Sequence, residues 1–243
     1  MNTKGWKKLR HYAKNIRKIE KIILEARKSL RKFNNKPKYK FGVRLPRSAK
    51  EAYDIDKANG NTLWADSMKL EVDALHKYDT FIDKGKINHF EGYKKIPLRM
   101  VFDCKNDGRR RSRLVAGGHL TDPNMEDTYS SVVNLRSLRL AILYAEVNKL
   151  EIMVGDVSSA YLESYTSEKV YTIAGPEFGE LEGHLLIISK ALYGLRTSGY
   201  AWHKKFADTL RDMGYLPCVG DGDVWMKDMG DHYDYVCVYM LMT

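Results

Sequence analysis

Cysteine is scarce in this sequence, and the three present, Cys104, Cys218 and Cys237, are far apart. An odd count without close spacing gives neither a disulfide framework nor a zinc ligand set, and predicts reduced thiols. Long apolar runs are missing too. No stretch approaches the roughly 20 residues of a membrane-spanning helix, and no apolar segment follows the charged start Met1-Asn2-Thr3-Lys4. We therefore expect an intracellular chain, cytoplasmic or nuclear and not secreted. An Asp-Thr/Ser-Gly signature is absent, which argues against an aspartic protease, and no His/Cys cluster suggests an integrase zinc module.

Acidic residues are rare at one end only. Residues 1–50 carry 18 Lys or Arg against two acids, a net +16, whereas residues 51–243 carry 23 basic and 29 acidic residues, a net −6. The basic character belongs to an arm. Trp6, Leu9, Ala13, Ile16, Ile19, Ile23, Ala26, Leu30 and Phe33 recur every three or four residues, the period of an amphipathic helix with Lys and Arg on its other faces. Such an arm can grip phosphates, dock its apolar stripe on a partner or on the main domain, or, as a third reading, lie on a membrane surface. Asn34-Asn35-Lys36-Pro37 ends it, and an irregular stretch is expected up to about Pro46. This divides the chain into a basic helix and linker, 1–47, and a folded domain, 48–243.

In the domain, Ser48-Ala49-Lys50-Glu51 is a capping box that should open a short helix. Asn59-Gly60-Asn61-Thr62 should close that helix and cap another, with Trp64, Met68, Val72 and Leu75 on one face. Lys95–Phe102 and Ser112–Ala116 read as strands flanking a polar turn, Lys105–Arg110, and so as a β-hairpin. Leu135, Leu138, Ile142 and Ala145 mark a helix. Leu150, Ile152 and Val154 alternate as a strand ending at Asp156. Val170–Ile173 and Leu185–Ile188 are short strands; Trp202, Phe206, Leu210 and Met213 mark a helix; Val224–Lys227 and Tyr235–Tyr239 are late strands. Asp221, Asp223, Asp231 and Asp234 read by pattern as solvated loop acids. Helices interleaved with non-uniform strands predict an α+β fold.

The chemistry centres on Gly155-Asp156-Val157-Ser158-Ser159-Ala160-Tyr161. A carboxylate at a strand end sits on a rigid element and can hold Mg²⁺ accurately, although a lone Asp there is more often a turn former. Upstream lies the basic run Arg109-Arg110-Arg111-Ser112-Arg113-Leu114-Val115-Ala116-Gly117-Gly118, and downstream Lys190-Ala191-Leu192-Tyr193-Gly194-Leu195-Arg196. Taken singly, the first reads equally as a solvated turn and the second as ordinary core and turn.

In this order the blocks resemble the reverse transcriptase of copia-type retrotransposons. That family reads Lys-Ala-Arg-Leu-Val-Ala-x-Gly in its hairpin, Asp-Val-x-x-Ala-Phe-Leu at its first catalytic strand, and Lys-Ala-Leu-Tyr-Gly-Leu-Lys-Gln-Ala-Pro-Arg-x-Trp before a helix. Trp64 with Glu71, and Tyr129-Ser130-Ser131-Val132-Val133, resemble two further blocks, so the likeness runs from about Ala49 to Tyr239. It implies right-hand polymerase fingers and a partial palm, preceded by the basic N-terminal helix. It also implies template-directed transfer of deoxynucleotides, an RNA/DNA template-primer and dNTP as partners, and Mg²⁺ as cofactor. Under it Asp156 is the catalytic carboxylate and a metal ligand, with the Val157 carbonyl beside it. Arg111 and Arg113 meet the triphosphate, Tyr161 is the gate against a ribose 2′-hydroxyl, Tyr193 and Gly194 face the nucleotide, and Arg196 replaces the family's lysine. Two departures stand out. Thr197-Ser198-Gly199-Tyr200 replaces Gln-Ala-Pro-Arg. Tyr239 is followed by Met240-Leu241-Met242-Thr243, where the family presents two further aspartates. The expectation is a domain truncated at that motif and catalytically inactive. The alternative is a nucleic-acid-binding remnant that uses the basic arm and fingers without catalysis.

Overall fold

The computed structural model of the chain describes residues 15, 16, 18–25, 27, 36–121, 128 and 130–238. Of the apolar stripe expected in the arm, Ile16, Ile19 and Ile23 are among these, exposed and in helical backbone. The other stripe positions, together with Tyr129 and Tyr239–Thr243, lie outside the described residues. The chain divides into two units. One comprises the described residues of Met1–Pro46 with Asp103–Arg109, and the other Arg47–Phe102 with the described residues of Arg110–Thr243.

The first unit holds regular structure where an irregular stretch is expected. Strands β1 (Lys38–Lys40) and β2 (Val43–Leu45) pair antiparallel, Lys38 opposite Leu45, Tyr39 opposite Arg44 and Lys40 opposite Val43. The two-residue loop Phe41-Gly42 has φ of 50° and 75°, the double positive φ of a type I′ turn. Lys40 Nζ lies 2.6 Å from Asp103 Oδ1.

In the second unit, helix α1 (Ala49–Asn59) starts where the capping box places it: the Glu51 N–H donates to Ser48 Oγ at 3.2 Å. The Glu51 carboxylate turns back to the Arg47 N–H at 3.0 Å. Gly60 ends the helix in the left-handed region. Helix α2 (Leu63–Lys77) differs from expectation at its cap. Within the expected block Asn61 Oδ1 accepts from the Leu63 N–H at 3.3 Å while the Thr62 side chain makes no capping bond; buried Asp56 accepts from the N–H groups of Trp64 at 3.0 Å and Ala65 at 2.8 Å. A full negative charge at the helix N-terminus outcompetes a hydroxyl for those donors. Trp64, Met68, Val72 and Leu75 are buried as the period predicts.

Strand β3 (Phe81–Asp83), the two-residue strand β4 (Lys94–Lys95), β7 (Val170–Ile173) and β8 (Leu185–Ile188) form one sheet in the order β3-β8-β7-β4, parallel only at β4–β7. Leu185, Leu186, Ile187 and Ile188 are all buried, so strand β8 is covered on both faces, each such side chain stabilising by roughly 1.5–3 kcal/mol. The strand expected over Lys95–Phe102 is broken at Ile96-Pro97, because proline lacks the N–H that a continuous ladder would need. Strand β5 (Leu98–Cys104) begins beyond the break and pairs with β6 (Arg110–Ala116) in the predicted hairpin.

Helix α3 (Leu135–Val147) forms as predicted, with Asn134 Oδ1 accepting from the Arg136 N–H at 2.9 Å, but it buries none of its residues. The strand expected at Leu150–Val154 is absent. Residues 151–157 have no regular structure and pair with no strand among the described residues; Met153 and Val154 are 91% and 96% exposed. Alternation alone does not make a strand without a neighbour to complete its hydrogen bonds. Helix α4 (Ser198–Asp212) packs Ala207 and Leu210 against Trp225. Trp225 lies in β10 (Asp221–Asp228), the centre of a sheet ordered β11-β10-β9, with β9 at Leu216–Cys218 and β11 at Tyr233–Cys237. The mixed helix and strand content agrees with the α+β expectation. Among the described residues no helix is long and apolar enough to cross a membrane.

Candidate nucleotide site

Strand β6 separates its side chains by the two-residue period. Ser112, Leu114 and Ala116 are buried, while Arg111, Arg113 and Val115 are partly exposed on the opposite face. The buried face is tied to α2: Ser67 Oγ meets Ser112 Oγ at 2.9 Å, and the Leu114 N–H donates to Glu71 Oε1 at 2.9 Å. Burial pushes the Glu71 carboxyl above its ordinary pKa; the Leu114 N–H and then the Arg113 and Arg111 guanidiniums pull it down less strongly.

At the end of β6 the chain meets a second turn. The Ala116 N–H donates to the Tyr193 carbonyl at 2.7 Å. Gly118 and Gly194 then approach so closely that a Cβ built on Gly118 would lie 2.2 Å from the Gly194 carbonyl oxygen, and one built on Gly194 would lie 2.2 Å from that of Ala116. Gly194 also has φ of 92°. Both positions need glycine, for space and the second also for conformation. Arg196 fastens the junction, its Nε donating to the Gly118 carbonyl at 3.0 Å and its Nη2 to that of His119 at 3.1 Å.

This junction brings together residues from three segments. The Arg113 guanidinium carbon lies 5.3 Å from the Tyr193 ring centroid. The Tyr193 ring lies 4.8 Å from that of Tyr161, tilted by 55°. Tyr161 is carried by a short 3₁₀ turn, Ala160–Glu163. Burial, then the neighbouring Tyr193, raises the Tyr161 phenol's pKa, so it stays neutral at physiological pH. The arrangement offers an aromatic surface beside a guanidinium, chemically suited to a planar ring bearing phosphates.

Asp156 and Val157 are not drawn into this cluster. Both are exposed on the irregular 151–157 segment, and Asp156 makes no hydrogen bond or ion pair among the described residues. Nor do the described residues hold any group of three or more His, Cys, Asp or Glu placed to bind a metal ion. A cleft of about 750 Å³ along α4, lined by Ser164, Tyr165, Thr197, Tyr200 and Lys204 among others, contains none of the nucleotide or metal candidates, though Thr197 and Tyr200 belong to the block that departs from the family.

Three of the acids expected in a loop belong to strands. Asp221 and Asp223 lie in β10 and Asp234 in β11. Asp223 is buried, with Oδ1 2.5 Å from His203 Nε2, and Asp221 Oδ2 accepts from the Asn134 N–H at 2.9 Å. The Asp-Gly-Asp pattern reads as a turn, and no local signal announces a histidine on α4 that satisfies the second acid. Ser131 Oγ also lies 3.3 Å from His203 Nε2. A nucleophilic relay needs serine and carboxylate on opposite ring nitrogens. Here both use Nε2, so the trio links the segment before α3, α4 and β10 structurally.

The comparisons with known proteins accord with these blocks. The family model described as reverse transcriptase (RNA-dependent DNA polymerase) matches residues 86–241, more than half of the chain. The chain is 26% identical over 216 residues to the retrovirus-related Pol polyprotein from transposon RE1 of Arabidopsis thaliana, covering 84% of this chain and 14% of that protein. For the polyprotein from transposon RE2 of the same plant the identity is 24% over 229 residues, 90% of this chain and 15% of the relative. For that from transposon TNT 1-94 of Nicotiana tabacum it is 28% over 180 residues, 68% and 13%. The chain thus spans only about one-seventh of the length of the first two relatives. No solved structure matches it. On the family match and these relatives together, the chain belongs to the reverse transcriptase family, as a domain of the copia-type retrotransposon Pol polyprotein.

Proposed function

We propose that this chain is the nucleotide-receiving part of an RNA-directed DNA polymerase, the fingers and part of the palm, with residues 1–47 as a basic arm and 48–243 as the polymerase-type domain. The observation that carries the reading is the Arg113–Tyr193–Tyr161 cluster. Its three residues come from separate parts of the sequence, and the family resemblance gives each of them a nucleotide role.

In this reading Arg113, with Arg111 on the same face of β6, pairs with triphosphate oxygens of the incoming dNTP; a guanidinium can make two parallel bonds to phosphate. The Tyr161 ring fills the space a ribose 2′-hydroxyl needs. Gly194 lets backbone approach the nucleotide. The Arg196 guanidinium is engaged by two carbonyls, so it acts by holding the turn that carries Tyr193. The base and sugar sit beside the tyrosines, and the template-primer passes alongside.

The divalent ions used by the family do not fit the residues present. Among the described residues no cluster of acids forms around Asp156, and Tyr239-Met240-Leu241-Met242-Thr243 contains no acid. One carboxylate cannot hold two divalent ions against their mutual repulsion and hydration. No catalytic step is therefore assigned to these residues, whose proposed role is to bind nucleotide.

With a primed RNA template, dNTPs and Mg²⁺ the purified chain should give no extension product, while labelled dNTP should bind. Arg113→Ala should weaken dNTP binding about tenfold, the loss of one charge-assisted contact at roughly 1.5 kcal/mol. Unchanged dNTP affinity in Arg113→Ala would show that the cluster is not the site. Extension product that disappears in Asp156→Ala would overturn the assignment of inactivity.

A further inference from the structure

We propose that the β1–β2 hairpin is a binding site for single-stranded nucleic acid, in which Phe41 and Tyr39 stack unpaired bases and the surrounding Lys and Arg hold the phosphates. The site shares no residue with the nucleotide cluster and does not depend on it.

A type I′ loop needs positive φ at both positions and favours Asn, Asp or Gly at the first. This hairpin places Phe41 there, at φ 50°, with its side chain 61% exposed. A bulky side chain in the left-handed region is strained, and exposure forfeits the hydrophobic return that could offset the strain. Fold stability alone would favour asparagine. The ring has Lys40 Nζ beside it, 5.6 Å from its centroid and near the long limit of a cation–π contact. An outlier that the fold does not use points to a ligand.

The flanking residues fit one kind of ligand. Strand alternation puts half-buried Val43 and Leu45 on one face of the ribbon and Tyr39 and Arg44 on the other. Tyr39 is 65% exposed and stands directly across from Arg44. Two exposed rings, one on a face of the ribbon and one at the tip, are therefore flanked by positive charge: Arg44 shares the Tyr39 face, Lys38 and Lys40 stand on the opposite face across from Leu45 and Val43, and Lys40 reaches the Phe41 ring. From Ala26 to Lys50 the sequence holds ten Lys or Arg and no acid. Lys40 pairs with Asp103. Aromatic faces interleaved with positive charge bind single strands with little sequence preference, because every base has a π-face and every nucleotide a phosphate. A duplex hides its base faces and offers phosphates alone.

The test uses the full chain and fluorescence anisotropy with a labelled polythymidine of about 20 nucleotides, long enough to span such a site, an equal-length duplex, and vesicles of phosphatidylserine and phosphatidylcholine. The single strand should bind more tightly than the duplex. Phe41→Asn should weaken single-strand binding about tenfold, as expected for the loss of one base–aromatic stack, leave duplex binding unchanged, and leave the melting temperature unchanged or higher, since asparagine suits the turn better. Tyr39→Ser should act in the same direction. Bound dNTP, which reports the pocket, should be unaffected by either variant, so failure of the two readings can be told apart. The proposal is overturned if both variants bind the single strand as the parent does, if strand and duplex lose affinity equally, or if vesicles are bound and released by Phe41→Asn while the oligonucleotide is not.

Discussion

Replacing Gly194 by alanine tests whether the junction under the nucleotide cluster is as tight as its geometry implies. The new Cβ would lie 2.2 Å from the Ala116 carbonyl oxygen and 2.8 Å from Val115 Cγ1. The first neighbour is backbone, so no side-chain rotation relieves it. The turn must move, weakening the 2.7 Å bond from Ala116 N–H to the Tyr193 carbonyl. Overpacking of this kind costs about 1–3 kcal/mol, a positive φ for a residue with a Cβ about 1–2, and a lost buried hydrogen bond about 0.5–1.5. The expected destabilisation is therefore about 2.5–6.5 kcal/mol. Gly60→Ala supplies the comparison. Gly60 has φ of 66° and nothing within 4 Å of where its Cβ would lie, so only the conformational cost of about 1–2 kcal/mol applies. Urea unfolding followed by tryptophan fluorescence measures both, with equal slopes required for the comparison. Equal destabilisation of the two variants would refute the claim that close approach, beyond left-handed backbone, fixes glycine at 194.

Asp56→Ala should cost about 1–2 kcal/mol by removing the acceptor for the Trp64 and Ala65 N–H groups, with Asp56→Asn recovering part of it; Thr62→Ala, by contrast, should cost less in the same unfolding assay. Glu71→Gln should alter the pH dependence of stability. Because burial raises the folded carboxyl's pKa, the parent's contribution is fully present below the unfolded value and is lost as pH rises through the folded one. The variant should therefore gain stability relative to the parent as pH rises across that window, and a relative gain on moving to lower pH would contradict the assignment. Asp223→Ala should destabilise by about 1–3 kcal/mol by leaving His203 without its buried partner, whereas a serine-directed acylating reagent should leave Ser131 unlabelled.

Elements whose signal is local were legible in the sequence. The α1 capping box, the buried face of α2, and strands β7 and β8 all follow from short-range chemistry or periodicity. The misses have a common cause, a partner distant in sequence. Thr62 has the chemistry of a cap, but Asp56 supplies a stronger acceptor. Leu150–Val154 alternates like a strand but finds no neighbour. Asp223 has the signature of a turn residue, yet His203 reaches it from another element. The β1–β2 hairpin is hidden because Phe41-Gly42 lacks the usual asparagine and its strands are three residues each. At the candidate site, motif order picks out Arg113, Tyr161 and Tyr193, which the fold brings together. It does not foretell that Arg196 is engaged by two carbonyls or that Asp156 stands apart.

Helix α3 has a thermodynamic consequence. It buries none of its residues, and 151–157 beyond it is exposed throughout. Unfolding these segments brings little new apolar surface into water. The heat-capacity change of unfolding should therefore fall below the roughly 12–15 cal/mol/K per residue typical of globular domains. A smaller heat-capacity change flattens the curve of stability against temperature. This domain should accordingly lose stability gently on either side of its optimum and be less prone to unfold in the cold than its length would suggest.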